Sequence, residues 1–145
     1  MTSMPVEERI GSHIKRAEQA LLAAKNAAVK AAAVTVPQYT ALLWLSEKPG
    51  ISAAGLARLC GVTPPTMNTV LKNLQERGLI ERTPHELHGN VLETRLTDEG
   101  RAVMEVADAG AVAVERSLAQ EFTAEERELL IRMLGRCVRR LDPRP

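Results

Sequence analysis

The sequence predicts a mainly α-helical chain with one small β-hairpin, and three observations carry that prediction. Aromatic residues make up only 2% of the 145. A core must then be built from Ala, Leu, Val, Ile and Met, which suits close helix–helix packing better than a β-sandwich. Apolar residues recur at three- and four-residue steps in segments opened by the capping residues Thr35, Ser52, Thr63, Thr97 and Thr123. Between Leu79 and Leu96 the period changes: Leu79–Thr83 and Val91–Leu96 read as strands around the polar, turn-forming PHELHGN.

The first segment, Val6 to Ala33, is rich in Ala, Lys, Glu and Leu, all strong helix formers. Ile10, Ile14, Ala17, Leu21, Ala24 and Ala28 form one apolar stripe. A single helix over this span is about 40 Å long. That exceeds what a small domain needs and suggests packing against a second subunit, the alternative being packing within its own chain.

Thr35 caps the next helix, which tolerates Pro37 in its first turn and ends at Pro49-Gly50. Its Tyr39, Leu42, Leu43, Trp44 and Leu45 make it strongly apolar and buried. Ser52 caps a short helix that turns Leu56, Ala57 and Leu59 inward and closes at Gly61. Thr63-Pro64-Pro65 opens another, with Met67, Val70, Leu71 and Leu74 as its buried stripe and Gly78 at its end. After the hairpin, Thr97 caps a helix to about Gln120, with Val103, Val106, Ala107, Val114 and Leu118 as apolar positions. Gly110 either weakens that helix or admits another backbone. Thr123 and Glu126 form a capping box before a last helix bearing Leu129, Leu130, Met133, Leu134, Cys137 and Leu141.

Composition excludes several functions. No apolar run reaches membrane-spanning length, and the N-terminus lacks a secretory pattern, so a cytoplasmic protein is expected. There is no nucleophile–base pair, phosphate-binding glycine loop or catalytic metal cluster, which argues against an enzyme and against a cofactor. His85 and His88 on one loop are too few to imply a metal site. Cys60 and Cys137 lack metal-ligand spacing and read as buried thiols. The alternative is a redox sensor using Cys137, near which Arg136, Arg139 and Arg140 lie, or Cys60.

Two short capped helices followed by a hairpin make the layout of a winged helix-turn-helix, which places one helix in the major groove of DNA. The helix after Thr63 shows an outer face of Pro65, Thr66, Asn68, Thr69, Lys72 and Asn73, with no acid before Glu76. Short polar side chains suit base edges and phosphates; Asn can pair with adenine through two bonds, and Thr can touch the thymine methyl. A wing usually brings a basic tip to the phosphates or minor groove. This one offers His85, His88 and Asn90, with Arg82 and Arg95 at its base. The net charge of +1 gives no global attraction to nucleic acid, so binding must come from this local surface. It also leaves open a winged-helix module for protein contact.

TVPQYTALLWL, SAAGLARLCGVTPPTMNTVLKNLQERGLIERT and RLTDEGRAV, in this order and spacing, resemble the MarR family of bacterial transcriptional regulators over nearly the whole chain. The resemblance implies a single domain over 1–145. A winged-helix lobe spans 35–96, and a helical dimerisation lobe is made of 5–33 and 97–142. It implies a homodimer on a palindromic operator, most often a repressor, released by a small and often aromatic ligand that changes the separation of the lobes. The ligand site it implies lies among the first, second and fifth helices, where His13, Arg16, Tyr39 and Trp44 are candidate lining residues. Core packing is the preferred role for Tyr39 and Trp44, and Arg16 suits a ligand carboxylate.

This chain departs from the family at two places. Asn90 stands where wings often carry arginine, and Thr69 lies near a frequent arginine of the recognition helix. Wing contacts to DNA should therefore be weak. Asn90→Arg is expected to tighten binding and steepen its salt dependence; equal affinities and slopes in a fluorescence-anisotropy titration would mean that the tip does not touch DNA.

Overall fold

A computed structural model describes residues 3–87, 89 and 92–144. The chain divides into two compact units, Met1–Ala111 and Val112–Pro145. In order the elements are α1 (Ile10–Val29), α2 (Val36–Glu47), α3 (Ala53–Cys60), α4 (Pro64–Glu76), β1 (Ile80–Pro84), β2 (Leu92–Leu96), α5 (Asp98–Gln120) and α6 (Ala124–Leu141). Among the described residues no helix is long and apolar enough to cross a membrane.

The single long helix expected over Val6–Ala33 is interrupted at both ends. A 3-10 turn at Val6–Glu8 is separated from α1 by Arg9 in an extended conformation (φ −81°, ψ 110°). The Arg9 guanidinium folds back onto the Met4 carbonyl, with Nε at 3.1 Å and Nη2 at 2.9 Å. Another 3-10 turn, Lys30–Ala32, ends at Ala33, which adopts the left-handed region at φ 57°. The α-helical part is 20 residues, about 30 Å at 1.5 Å per residue. Helix propensity alone favours continuation here; the chain must instead turn to bring Val29 and Val34 into the core, where they are 0% and 6% exposed.

The capping reading holds at α2, α3, α4 and α6. Thr35, Ser52, Thr63 and Thr123 each accept a backbone N–H three residues on. Gly50, Gly61 and Gly78 take positive φ at the corresponding stops. Thr97 accepts the Gly100 N–H at 3.0 Å and so caps α5.

In the first unit Leu42, Leu45, Leu56, Met67, Leu71 and Leu74 are buried from α2, α3 and α4. Val29 of α1 and Met104, Ala107 and Ala111 of α5 belong to the same core. Of the α5 positions read as apolar, Val106 and Leu118 are exposed; the inward face runs through Gly100, Met104, Ala107 and Ala111. Leu43 and Trp44, expected inside with the rest of α2, are half-buried. The strands pair antiparallel with Ile80 opposite Leu96, Arg82 opposite Thr94 and Pro84 opposite Leu92. Ile80 and Thr94 are buried on one face, while Glu81, Thr83 and Arg95 are exposed on the other.

Two glycines permit close backbone approach. A Cβ on Gly100 would overlap the Leu79 carbonyl, and one on Gly110 would lie 2.5 Å from the Ala28 carbonyl oxygen. The second result fits the backbone-approach reading of Gly110. In the second unit α6 is opened by the Thr123–Glu126 capping box and buries none of its own residues; Ile131 and Leu141 are more than 70% exposed.

Gly100→Ala is therefore expected to cost about 3 kcal/mol, the upper range for overpacking. Gly11→Ala, whose Cβ would meet nothing within 4 Å, should gain up to about 1 kcal/mol from helix propensity. Chemical denaturation of the two variants checks the opposite signs.

Candidate nucleic-acid interface

α4 is the centre of the site. The Thr63 hydroxyl accepts the Thr66 N–H at 3.4 Å and donates to Thr66 Oγ1 at 3.0 Å. Pro64 and Pro65 occupy its first turn, where missing N–H groups cost nothing. Met67, Leu71 and Leu74 are buried, which fixes the helix's rotation about its axis. Thr63, Pro65, Thr66, Asn68, Thr69, Lys72 and Asn73 are all left exposed. The face is thus brought together as the sequence indicated, with no acid before Glu76.

Its hydrogen-bonding capacity is narrower than the residue list suggests. The Thr69 hydroxyl donates to the Pro65 carbonyl at 3.2 Å, so that donor is spent within the helix. Asn73 Oδ1 accepts from Gln38 Nε2 at 2.9 Å. An open groove of about 380 Å³ separates the start of α2, with Thr35, Pro37 and Gln38, from Thr66, Thr69 and Asn73 of α4.

Arg82 and Arg95 both sit at the base of the wing but on opposite faces. Arg82 shares the inward face with Thr94; among the described residues, Arg82 Nε and Thr94 Oγ1 are buried without hydrogen-bond partners. Arg95 is on the outward face with half of its side chain exposed, and its Nη2 lies 3.1 Å from Glu93 Oε2. His85 Nδ1 accepts the Leu87 N–H at 3.0 Å. A backbone N–H can only donate, so the ring proton of a neutral His85 sits on Nε2. That atom faces Glu93 Oε1 at 3.4 Å. Glu93 therefore bridges His85 and Arg95 and offsets positive charge where the wing leaves the body. The Glu93–Arg95 pair follows from the two-residue alternation of the strand, whereas His85 meets Glu93 only because the hairpin brings its two arms together. His88 and Asn90, together with Val91 at the expected start of the second strand, lie outside the described residues.

The four ligand candidates have different surroundings. His13 Nε2 is 3.0 Å from the Glu7 carbonyl oxygen and, like Arg16, is exposed on α1. Tyr39 is 6% exposed and its hydroxyl donates to Asp108 Oδ1 at 2.6 Å, tying α2 to α5. Trp44 is half-buried against the core. None of the four lines the α2–α4 groove or a second shallow groove beside Lys48, Ser52 and Arg58. The cysteines, expected to be buried, are both only half-buried. Partial burial in apolar surroundings pushes the Cys60 thiol up, away from the thiolate that redox sensing needs.

The MarR family model matches residues 34–89, from the cap of α2 into the wing. The HTH-type transcriptional repressor Rv2887 of Mycobacterium tuberculosis is 37% identical over 109 residues, 75% of this chain and 78% of that protein. The chain belongs to the MarR family. It is accordingly a DNA-binding transcriptional regulator and not an enzyme. The crystal structure of MarR-family Rv2887 in complex with salicylic acid is 33% identical, with a TM-score of 0.70 over 89% of this chain and 96% of that one. The transcriptional repressor CouR bound to a 23-mer DNA duplex is 26% identical, with a TM-score of 0.85 over 95% of this chain and 98% of that one.

For this MarR-family chain, Glu93→Gln should free Arg95 without changing the backbone. DNA affinity is expected to rise several-fold and the salt dependence to steepen by about one unit of slope. Anisotropy titrations at two salt concentrations test this; unchanged binding would place Arg95 away from the duplex.

Proposed function

We propose that this chain is a homodimeric repressor that reads a palindromic operator with α4 in the major groove and the wing beside it. The observation carrying this reading is the exposed, acid-free polar face of a capped helix whose apolar side is locked into the core. Thr63, Pro65, Thr66, Asn68, Thr69, Lys72 and Asn73 supply the groove contacts, and Arg95, His88 and Asn90 the wing contacts. Arg82, being turned inward, supports the hairpin and contributes charge from behind it. Repression is supported by the naming of its relatives as repressors.

Dimerisation is supported by apolar side chains left in water on the terminal helices. Ile10 is 70% exposed, Ile131 72%, Val138 61% and Leu141 76%. Isolated exposed apolar residues are ordinary, but repeated ones along two amphipathic helices mark an interface. In this reading 5–33 and 97–142 form the dimerisation lobe, and 35–96 is the DNA-binding lobe. The salicylic acid complex of Rv2887 supports a small aromatic effector. His13, Arg16, Tyr39 and Trp44 remain the proposed lining, with Arg16 pairing with its carboxylate. The protein would act in the cytoplasm, where bacterial operators are.

The test is duplex binding across the DNA flanking the protein's own gene, at two salt concentrations. Saturable occupancy of one palindrome by two subunits is expected. Leu134→Asp, which places a charge on the exposed α6 stripe, should give monomers by light scattering and weaken operator binding by at least about tenfold through loss of bivalency. Uniform weak binding that vanishes with salt would count against operator recognition, and a monomeric wild type against the dimer.

A further inference from the structure

The side-chain bond between Gln38 and Asn73 is a long-range one, joining the start of α2 to the third turn of the recognition helix across 35 positions of sequence. Gln38 is also half of the α2 capping box. Its backbone N–H reaches Thr35 Oγ1 at 3.4 Å, and its Oε1 accepts the Thr35 N–H at 3.0 Å. These bonds fix which way both amides face. The Thr35 N–H can only donate, so the oxygen of Gln38 must be the atom that meets it. The nitrogen of Gln38 then faces Asn73, and only the oxygen of Asn73 can receive it. The Asn73 carboxamide is planar and exposed. Its NH₂ group is consequently turned away from Gln38 with both donors free, while Gln38 occupies one of the two lone pairs of its oxygen.

We infer that Gln38, which lies outside the helix-turn-helix, is a positioning residue that fixes the Asn73 amide with its NH₂ group free to donate to the duplex. The inference rests on the DNA-reading role proposed above for α4. An amide held in this orientation leads with its donors. It suits an acceptor oxygen or nitrogen: a backbone phosphate, guanine O6 or N7, or thymine O4. Asn73 lies about 12 Å along the helix axis from Pro65.

The experiment is a double-mutant cycle of Gln38→Glu and Asn73→Ala, read as affinity for the footprinted segment of the protein's own flanking DNA. Gln38→Glu keeps an oxygen for the Thr35 N–H but turns a second oxygen toward Asn73, forcing that amide to reverse. Each single variant is expected to bind roughly tenfold more weakly, as for loss of one good contact. In the Asn73→Ala background, Gln38→Glu should cost no more than about threefold, the residue of its added charge. Effects that multiply would overturn the inference.

Thr35→Ala weakens the same helix end while leaving the Thr35 N–H, Gln38 and Asn73 bonds in place, so its affinity should match wild type. A loss equal to that of Gln38→Glu would assign the effect to the helix end and overturn the inference. A spectroscopic readout accompanies the affinities. The Asn73 side-chain NH₂ resonance, assigned by its absence in Asn73→Ala, should shift on duplex binding in wild type and not in Gln38→Glu. No shift in wild type would overturn the donor contact. Duplexes substituted at each base pair in turn identify the acceptor: a loss from Asn73→Ala that is equal on all of them indicates phosphate, and one concentrated at a single pair indicates a base. A wild-type chain that binds no duplex overturns both this inference and the proposed function, whereas wild-type binding with independent variants overturns this inference alone.

Discussion

The geometry of the winged helix depends on the approach of the α5 backbone to the carbonyl of Leu79. That carbonyl accepts the Thr97 N–H at 3.1 Å, and the Thr97 hydroxyl donates to the neighbouring Gly78 carbonyl at 2.7 Å. The end of α4, the start of β1, the end of β2 and the start of α5 thus meet within a few atoms. Gly100 allows it by having no side chain there. A two-stranded hairpin is weak by itself. Its orientation relative to α4 comes from this junction more than from its own ladder.

A second junction ties the wing to the helix-turn-helix from the other side. The Gly50 N–H donates to the Thr94 carbonyl at 3.0 Å, and the Arg95 guanidinium lies over the Gly50 turn. Thr94 is fully buried while Glu93 and Arg95 point outward. The strand's two-residue alternation therefore decides which charges face outward. Arg82 and Arg95, which look equivalent in the sequence, end up on opposite faces for that reason.

Much of this was legible before any coordinates. Caps at Thr35, Ser52, Thr63 and Thr123 and stops at Gly61 and Gly78 are local chemistry, so spacing revealed them. The outer face of α4 followed from the stripe of Met67, Leu71 and Leu74. What escaped depends on partners distant in sequence. The bend at Ala33 opposes alanine's helix preference, and tertiary packing of Val29 and Val34 imposes it. Gly100 matters only because Leu79 arrives beside it. Tyr39 and Asp108 meet across 69 positions, and His85 reaches Glu93 across the hairpin. Gln38 carried a readable signal, since it stands three residues after a threonine cap; its bond to Asn73 did not.

The acid at the base of the wing bears on how such a protein is distributed in a cell. Attraction to phosphates is indifferent to sequence, and a genome offers on the order of a million or more competing positions. A strongly basic face would leave most copies parked on irrelevant DNA. In the proposed reading, Glu93 beside Arg95, on a chain whose net charge is only +1, would reduce that indiscriminate retention while leaving the polar face of α4 unaltered. Fewer copies would then suffice to keep one site occupied.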